Sequence, residues 1–195
     1  VLSDSSTFMR FIPQGNKATI WGTGDPSWKY KKLPQPKFQD FFKPYSVIQF
    51  SDTNLKSTPF GAGWQWDDYL YYYAAERSSL PIYGNVMHVF AGRVNPKVFP
   101  TKFQSSIRTN EKETKDMERD FHSNTFYYNP DSYRGREDFL PFITSPQLLT
   151  EFAKNETGKN WIYKAEKLPE NHKLWRGAPL FPILKEMMLE SDNFL

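Results

Sequence analysis

Apolar positions in this chain fall into short runs rather than long ones. Ala18–Trp21, Ser46–Phe50 and Val86–Phe90 are β-branched or aromatic runs bounded by Gly, Pro, Asn or Asp, which predicts three strands. A fourth is expected at Thr125–Tyr128, closed by the turn Asn129-Pro130-Asp131. Helical spacing occurs twice. Leu148, Leu149 and Phe152 share one face of a helix over Pro146–Lys154, with Thr144 or Ser145 as its cap, Pro146 in its first turn, and Asn155 and Gly158 as its stop. A second helix, from about Pro182 to Leu189, follows Gly177-Ala178-Pro179, and its expected buried stripe is Leu184, Met187 and Met188. Pro34, Pro36 and Pro44 prevent a long helix between the first two strands, so at most Lys37–Phe42 coils there. From Arg108 to Asp120 almost every residue is charged and no apolar pattern runs through, which predicts a solvated connection. Strands mixed with a few separated helices make the expected class α+β rather than a βαβ series.

Composition narrows the possibilities. At 195 residues the chain can bury a real core, either as one large domain or as two small ones. A net charge of +3 is too mild to imply nucleic acid. Aromatics make up 17%, so the apolar mass sits in large rings. The absence of Cys excludes disulfides, thiolate zinc sites and a thiol nucleophile. No apolar run is long enough to cross a membrane as a helix, and the opening VLSDSSTFMR lacks a charged-then-apolar leader pattern. No cofactor is expected.

Several motifs yield to a structural reading. Gly22-Thr23-Gly24-Asp25-Pro26-Ser27 follows a predicted strand, but Asp25 would repel a phosphate and Pro26 removes a donor, so it reads as a turn. Trp28–Tyr45 interleaves five lysines with aromatics, a pattern shared by single-strand binding surfaces and by solvated faces beside core rings. The second reading is preferred, with no nucleic acid as partner. His88, His122 and His172 lie far apart without a second ligand type at metal spacing, so no metal site is expected. Asn155-Glu156-Thr157 matches a glycosylation sequon, a triplet common by chance.

Two segments carry more. In Gly63-Trp64-Gln65-Trp66-Asp67-Asp68-Tyr69, the paired carboxylates stand among rings; Asp67 reads as a cap and Asp68 as an anchor for a cationic group. In Glu190-Ser191-Asp192-Asn193, the Ser-Asp-Asn triplet is one of three elements of active-site serine peptidases and β-lactamases. Ser191 and Asn193 would point to opposite sides of a continuing helix, so sharing one cleft requires the helix to break near Glu190.

Together these segments resemble the low-molecular-mass class C penicillin-binding proteins, which are D-Ala-D-Ala carboxypeptidases and endopeptidases. The residues that carry the likeness are GWQWDDYLYYYAAERSSLPIYGN at 63–85 and APLFPILKEMMLESDNFL at 178–195, with WGTGDPS at 21–27 in support. The resemblance implies two nested accessory domains inserted in a peptidase domain. One is a small mixed sheet with helices (1–76 and 141–166), the other is mostly β (77–140), and 167–195 returns to the peptidase domain. It also implies an exported, periplasmic or envelope location, peptidoglycan stem peptides as substrate and β-lactams as ligands. Ser191 would be the proton-shuttling hydroxyl and Asn193 the donor to the substrate amide, while Asp68 and Tyr73 would hold the amine and the methylenes of the stem's diamino acid. No serine of the chain has Lys three residues later and no Lys-Thr-Gly occurs, so the 195 residues alone are expected to be catalytically inert. The alternative is a non-catalytic peptidoglycan- or glycan-binding module built on exposed aromatics.

Overall fold

The computed structural model describes residues 5–31, 33–35, 37–55 and 58–190. In chain order the strands are β1 (Ser5–Gln14), β2 (Lys17–Gly22), β3 (Val47–Ser51), β4 (Val86–Val89), β5 (Val98–Phe99), β6 (Ile107–Thr109), β7 (Glu118–Arg119), β8 (Phe126–Tyr128), β9 (Asp138–Pro141), β10 (Asn160–Tyr163) and β11 (Lys173–Pro179). The α-helices are α1 (Phe38–Phe42), α2 (Pro146–Thr157) and α3 (Leu180–Glu190), and short 3₁₀ turns fill several connections. This is the α+β class expected. The chain forms two compact units, one of residues 1–59, 77–84 and 144–195 and the other of residues 60–76 and 85–143. Residues 60–76, expected in the mixed-sheet domain, cluster with 85–143, and residues 77–84, expected in the mostly β domain, cluster with the first unit.

The first unit is built on a five-stranded sheet of order β10-β3-β2-β1-β11. β1 and β2 form an antiparallel hairpin from Met9↔Gly22 to Gln14↔Lys17, turning at Gly15 with φ +60. β3 runs parallel to both β2 and β10, and β11 closes the far edge against β1. β2 is covered on both faces, so Ala18, Thr19, Ile20 and Trp21 are all buried. Against the sheet sits an aromatic cluster centred on Trp28, whose ring lies 5.7 Å from Phe8, 5.4 Å from Phe38, 5.8 Å from Phe42 and 5.8 Å from Trp161. The aromatics interleaved with lysines at 28–45 are thus core residues, while Lys29, Lys31, Lys37 and Lys43 are exposed. The loop at Glu166 is fixed to the sheet because its carbonyl accepts hydrogen bonds from Trp21 Nε1, Ser51 Oγ and Thr53 Oγ1.

Local chemistry explains the elements read from sequence. Ser145 caps α2 by accepting from Leu148 N at 3.1 Å, and Gly158 ends it in the left-handed conformation with its N–H on Lys154 O. At the Gly22–Ser27 turn, the Asp25 carboxylate accepts from Ser27 N at 2.9 Å and from Ser27 Oγ. A Cβ on Gly22 would lie 2.0 Å from Ser79 O, so this glycine serves backbone packing rather than a phosphate.

Helix α3 departs from expectation. Ile183 is its buried contact, packing with Tyr30, Leu33 and Ala178, while Leu184 is 37% and Met188 75% exposed. The expected stripe of Leu184, Met187 and Met188 is therefore not the buried face. The helix is apolar almost all round, and the cluster at Tyr30 and Leu33 selects which side is covered.

The second unit holds two three-stranded sheets, β5-β4-β9 and β6-β8-β7. β4 pairs antiparallel with both neighbours, from Val86↔Pro141 to Val89↔Asp138 and at His88↔Phe99. β8 runs parallel to β6 and antiparallel to β7. Phe103 joins Phe126 at 5.5 Å and Phe142 at 5.1 Å, and Met87, Leu140 and Met117 are also buried in this unit. The stretch 108–120 is consequently more than a solvated connection. It supplies parts of β6 and β7, and Met117 and Arg119 are each 3% exposed. Burial lowers the Arg119 guanidinium's pKa, opposed chiefly by the Glu76 carboxylate.

Asp138, in β9, gives a stability test. Burial raises its carboxyl above the ordinary value, the hydrogen bond from Phe139 N opposes this, and Asp116 reinforces it. A carboxyl raised in the folded state keeps protons that the unfolded chain has already released. Folding therefore loses stability as pH climbs from the ordinary carboxyl value through the raised one. Asp138→Asn retains an oxygen acceptor for Phe139 N and removes the charge. Its expected result is a higher Tm than the parent chain at pH 7 and no gain at pH 3, by thermal scanning. A lower Tm at pH 7 would show that the charge itself is needed.

Candidate functional site

The tryptophan-rich segment folds as two successive 3₁₀ turns, Trp66–Leu70 and Tyr72–Ala74, joined at Tyr71 in extended conformation (φ -101, ψ 139). Backbone bonds hold the pair: Tyr71 N donates to Asp68 O at 2.8 Å and Ala74 N to Tyr71 O at 2.9 Å. Tyr69 pins the first turn by donating its hydroxyl to Arg119 O at 3.2 Å. Its ring lies under the Arg119 guanidinium at 5.0 Å and meets Phe121 edge-on at 5.0 Å.

The break at Tyr71 brings Asp68 and Tyr73 together, with Tyr73 Oη donating to Asp68 Oδ1 at 3.5 Å. Tyr71, which the sequence reading does not single out, stacks on Tyr73 at 5.4 Å with ring planes 7° apart, and Tyr72 meets Tyr73 edge-on at 5.7 Å. Its place in the tyrosine run was the only signal available. Partial burial first, then the Asp68 carboxylate, raise the Tyr73 hydroxyl above its ordinary value, so it stays neutral and able to donate. Among the described residues Asp68 has no cationic partner, and that one long bond is its side chain's contact. The result is a carboxylate with spare acceptor capacity beside a shelf of rings. This arrangement suits an ammonium group carried on a short methylene chain.

Asp67 does not cap the turn. Gln65 occupies the cap position, no side chain bonds there, and Asp67 is exposed in the first turn. Ser191 and Asn193 lie outside the described residues; α3 runs from Leu180 to Glu190, the last residue described. His88 pairs with Glu137 at 2.7 Å, and His172 Nε2 lies 2.6 Å from Arg10 Nη1. Among the described residues no group of three or more His, Asp and Glu side chains could hold a metal, and no helix is long and apolar enough to cross a membrane.

An α+β chain of small sheets with this turn-and-tyrosine segment shares its fold with a solved penicillin-binding protein. That protein is penicillin-binding protein 4 from Haemophilus influenzae, to which the chain is 16% identical with a TM-score of 0.60, covering 98% of this chain and 51% of that one. The same protein complexed with a β-lactam gives a TM-score of 0.50 at 15% identity, covering 98% of this chain and 49% of that one. The chain thus spans about half the length of the solved structures it matches. No family model matches it, and no curated protein matches it.

Proposed function

We propose that these residues are the accessory portion of a serine-type D-Ala-D-Ala carboxypeptidase or endopeptidase of the low-molecular-mass class C penicillin-binding proteins, acting on peptidoglycan stem peptides outside the cytoplasm. The observation that carries the reading is the fold likeness over 98% of this chain to half of penicillin-binding protein 4. The Asp68–Tyr73 pair adds a chemistry suited to a diamino acid. In this reading the segment 167–195 leads back into the peptidase domain. The nucleophile is a serine of a Ser-x-x-Lys element beyond these residues. The serine attacks the D-Ala-D-Ala carbonyl, the peptide bond breaks, the terminal D-Ala leaves as the amine, and water later releases the acyl group.

Within that scheme Ser191 passes the proton to the leaving nitrogen and Asn193 donates its amide to the substrate backbone. Asp68 receives the ammonium of the diamino acid while Tyr73 packs its methylenes and donates its hydroxyl. β-Lactams enter as stem-peptide mimics that acylate the same serine.

The test is fluorescent penicillin. The 195-residue chain is expected to take up no label, and a longer polypeptide containing it together with Ser-x-x-Lys and Lys-Thr-Gly is expected to be labelled stoichiometrically. Covalent labelling of the 195 residues alone would contradict the assignment of the nucleophile. The competing reading, a non-catalytic glycan-binding module, is favoured instead if the longer polypeptide stays unlabelled while the 195-residue chain is retained on peptidoglycan.

A further inference from the structure

In the second unit, away from the tyrosine segment, a cavity of about 360 Å³ opens between the 95–97 turn and strand β6. That volume is at the small end of the roughly 300–1,000 Å³ typical of small-molecule sites. Its walls carry Asn95, Lys97, Gln104, Arg108 and Tyr128, and neither Asp nor Glu is among its lining residues. The walls are fixed from within. Gln104 spends both ends of its amide on the turn, accepting from Val98 N at 3.2 Å and donating to Pro96 O at 2.9 Å. Asn95 holds the turn in the left-handed region at φ +49, a conformation that Asn tolerates better than most residues.

Three of the cavity's polar side chains keep groups that are not spent on the protein. Arg108 is anchored through one nitrogen, Nη1 donating to Ser105 O at 2.7 Å and to Ile107 O at 2.8 Å. Its Nε and Nη2 have no partner among the described residues. The Lys97 ammonium and the Asn95 amide likewise bond to nothing among the described residues. A held guanidinium edge, an ammonium and an amide thus share one concave surface without a carboxylate to neutralise them. Planar guanidinium and point-like ammonium are together complementary to an oxygen-bearing anion.

We propose that this cavity is an oxyanion-binding site, taking the phosphate or carboxylate group of a small polar ligand through Lys97 and Arg108. The cavity is roomier than a lone ion needs, so the anion is one end of a larger molecule such as a phosphosugar or a sugar acid, resting on Tyr128. The inference stands on this unit alone and does not depend on the peptidase reading.

The test is an amide-resolved NMR titration of the 195-residue chain at low ionic strength, using inorganic phosphate, glucose 1-phosphate and glucuronate. At least one probe is expected to saturate with shifts centred on 95–97 and 107–109. Tighter binding of glucose 1-phosphate would identify a phosphate ester as the natural group, and tighter binding of glucuronate a carboxylate. Lys97→Gln is expected to weaken that binding at least tenfold. Lys115→Gln makes the same charge change on an exposed position of the same unit outside the cavity, and is expected to change it less than twofold. Arg108→Gln should abolish saturation, and since it also removes two backbone contacts, the Lys97 variant carries the decision. No saturable shift with any probe, or equal losses at Lys97 and Lys115, would overturn the proposal.

Discussion

Replacing Trp28 with Ala is expected to cost about 3–5 kcal/mol of folding stability, the range for removing a large aromatic from a packed core. Trp28 is 1% exposed and touches Phe8, Phe38, Phe42 and Trp161, so its removal leaves a hole bounded by four rings. Its backbone is engaged as well, since Trp28 O accepts from Tyr83 N at 2.9 Å. Those rings come from β1, α1 and β10 and are too large to collapse into the space. Because a domain this size has only about 5–15 kcal/mol in total, the variant should unfold at much lower urea or fail to accumulate as folded protein. The measurement is the urea midpoint by far-ultraviolet circular dichroism. A loss below about 1 kcal/mol would mean that the first unit is not organised around this ring.

How much of this could be read from the chain alone differs by element. α2 was legible because three independent local signals coincide: the Ser145 cap, Pro146 and the Gly158 stop. β2, β3, β4 and β8 announce themselves through β-branched or aromatic runs. β1 does not, since its ten residues include Arg10 and end near Pro13, and its place is set by partners on both sides. β11 carries Gly177 and Pro179 and pairs with β1 across about 170 residues of sequence, with shifts in register. Neither feature leaves a local trace. In the charged stretch, the alternation of Met117, Glu118 and Arg119 was too short to stand out, yet tertiary burial makes it a strand edge. Helical spacing found α3 but could not choose its covered face, because apolar residues surround the helix and it is the buried Ile183 that meets the Tyr30–Leu33 cluster.

The candidate site shows the same division. The paired carboxylates among rings singled out Asp68 and the resemblance alone singled out Tyr73, but five residues apart they would not meet on a regular α-helix. It is the extended link at Tyr71, between two 3₁₀ turns, that brings carboxylate and hydroxyl within reach. The stacked Tyr71 follows from that same link. The oxyanion cavity left no motif at all, because Lys97 and Arg108 belong to separate segments joined only by the fold of the second unit.

Substrate selectivity at Asp68 bears most directly on the proposal that this chain helps a D-Ala-D-Ala peptidase read its stem peptide. Asp68→Asn keeps the side chain's shape and its oxygen for the Tyr73 hydroxyl, and removes only the charge. A hydrogen bond to a charged group is worth about 1.5–3 kcal/mol, which corresponds to roughly ten- to a hundredfold in kcat/KM. The measurement is kcat/KM of the longer polypeptide bearing Ser-x-x-Lys and Lys-Thr-Gly, on stem pentapeptides with a free diamino-acid amine and on the same peptides N-acetylated there. Asp68→Asn is expected to lower kcat/KM about ten- to a hundredfold for the free amine and less than twofold for the acetylated peptide. Equal losses on both peptides, or none on either, would contradict it.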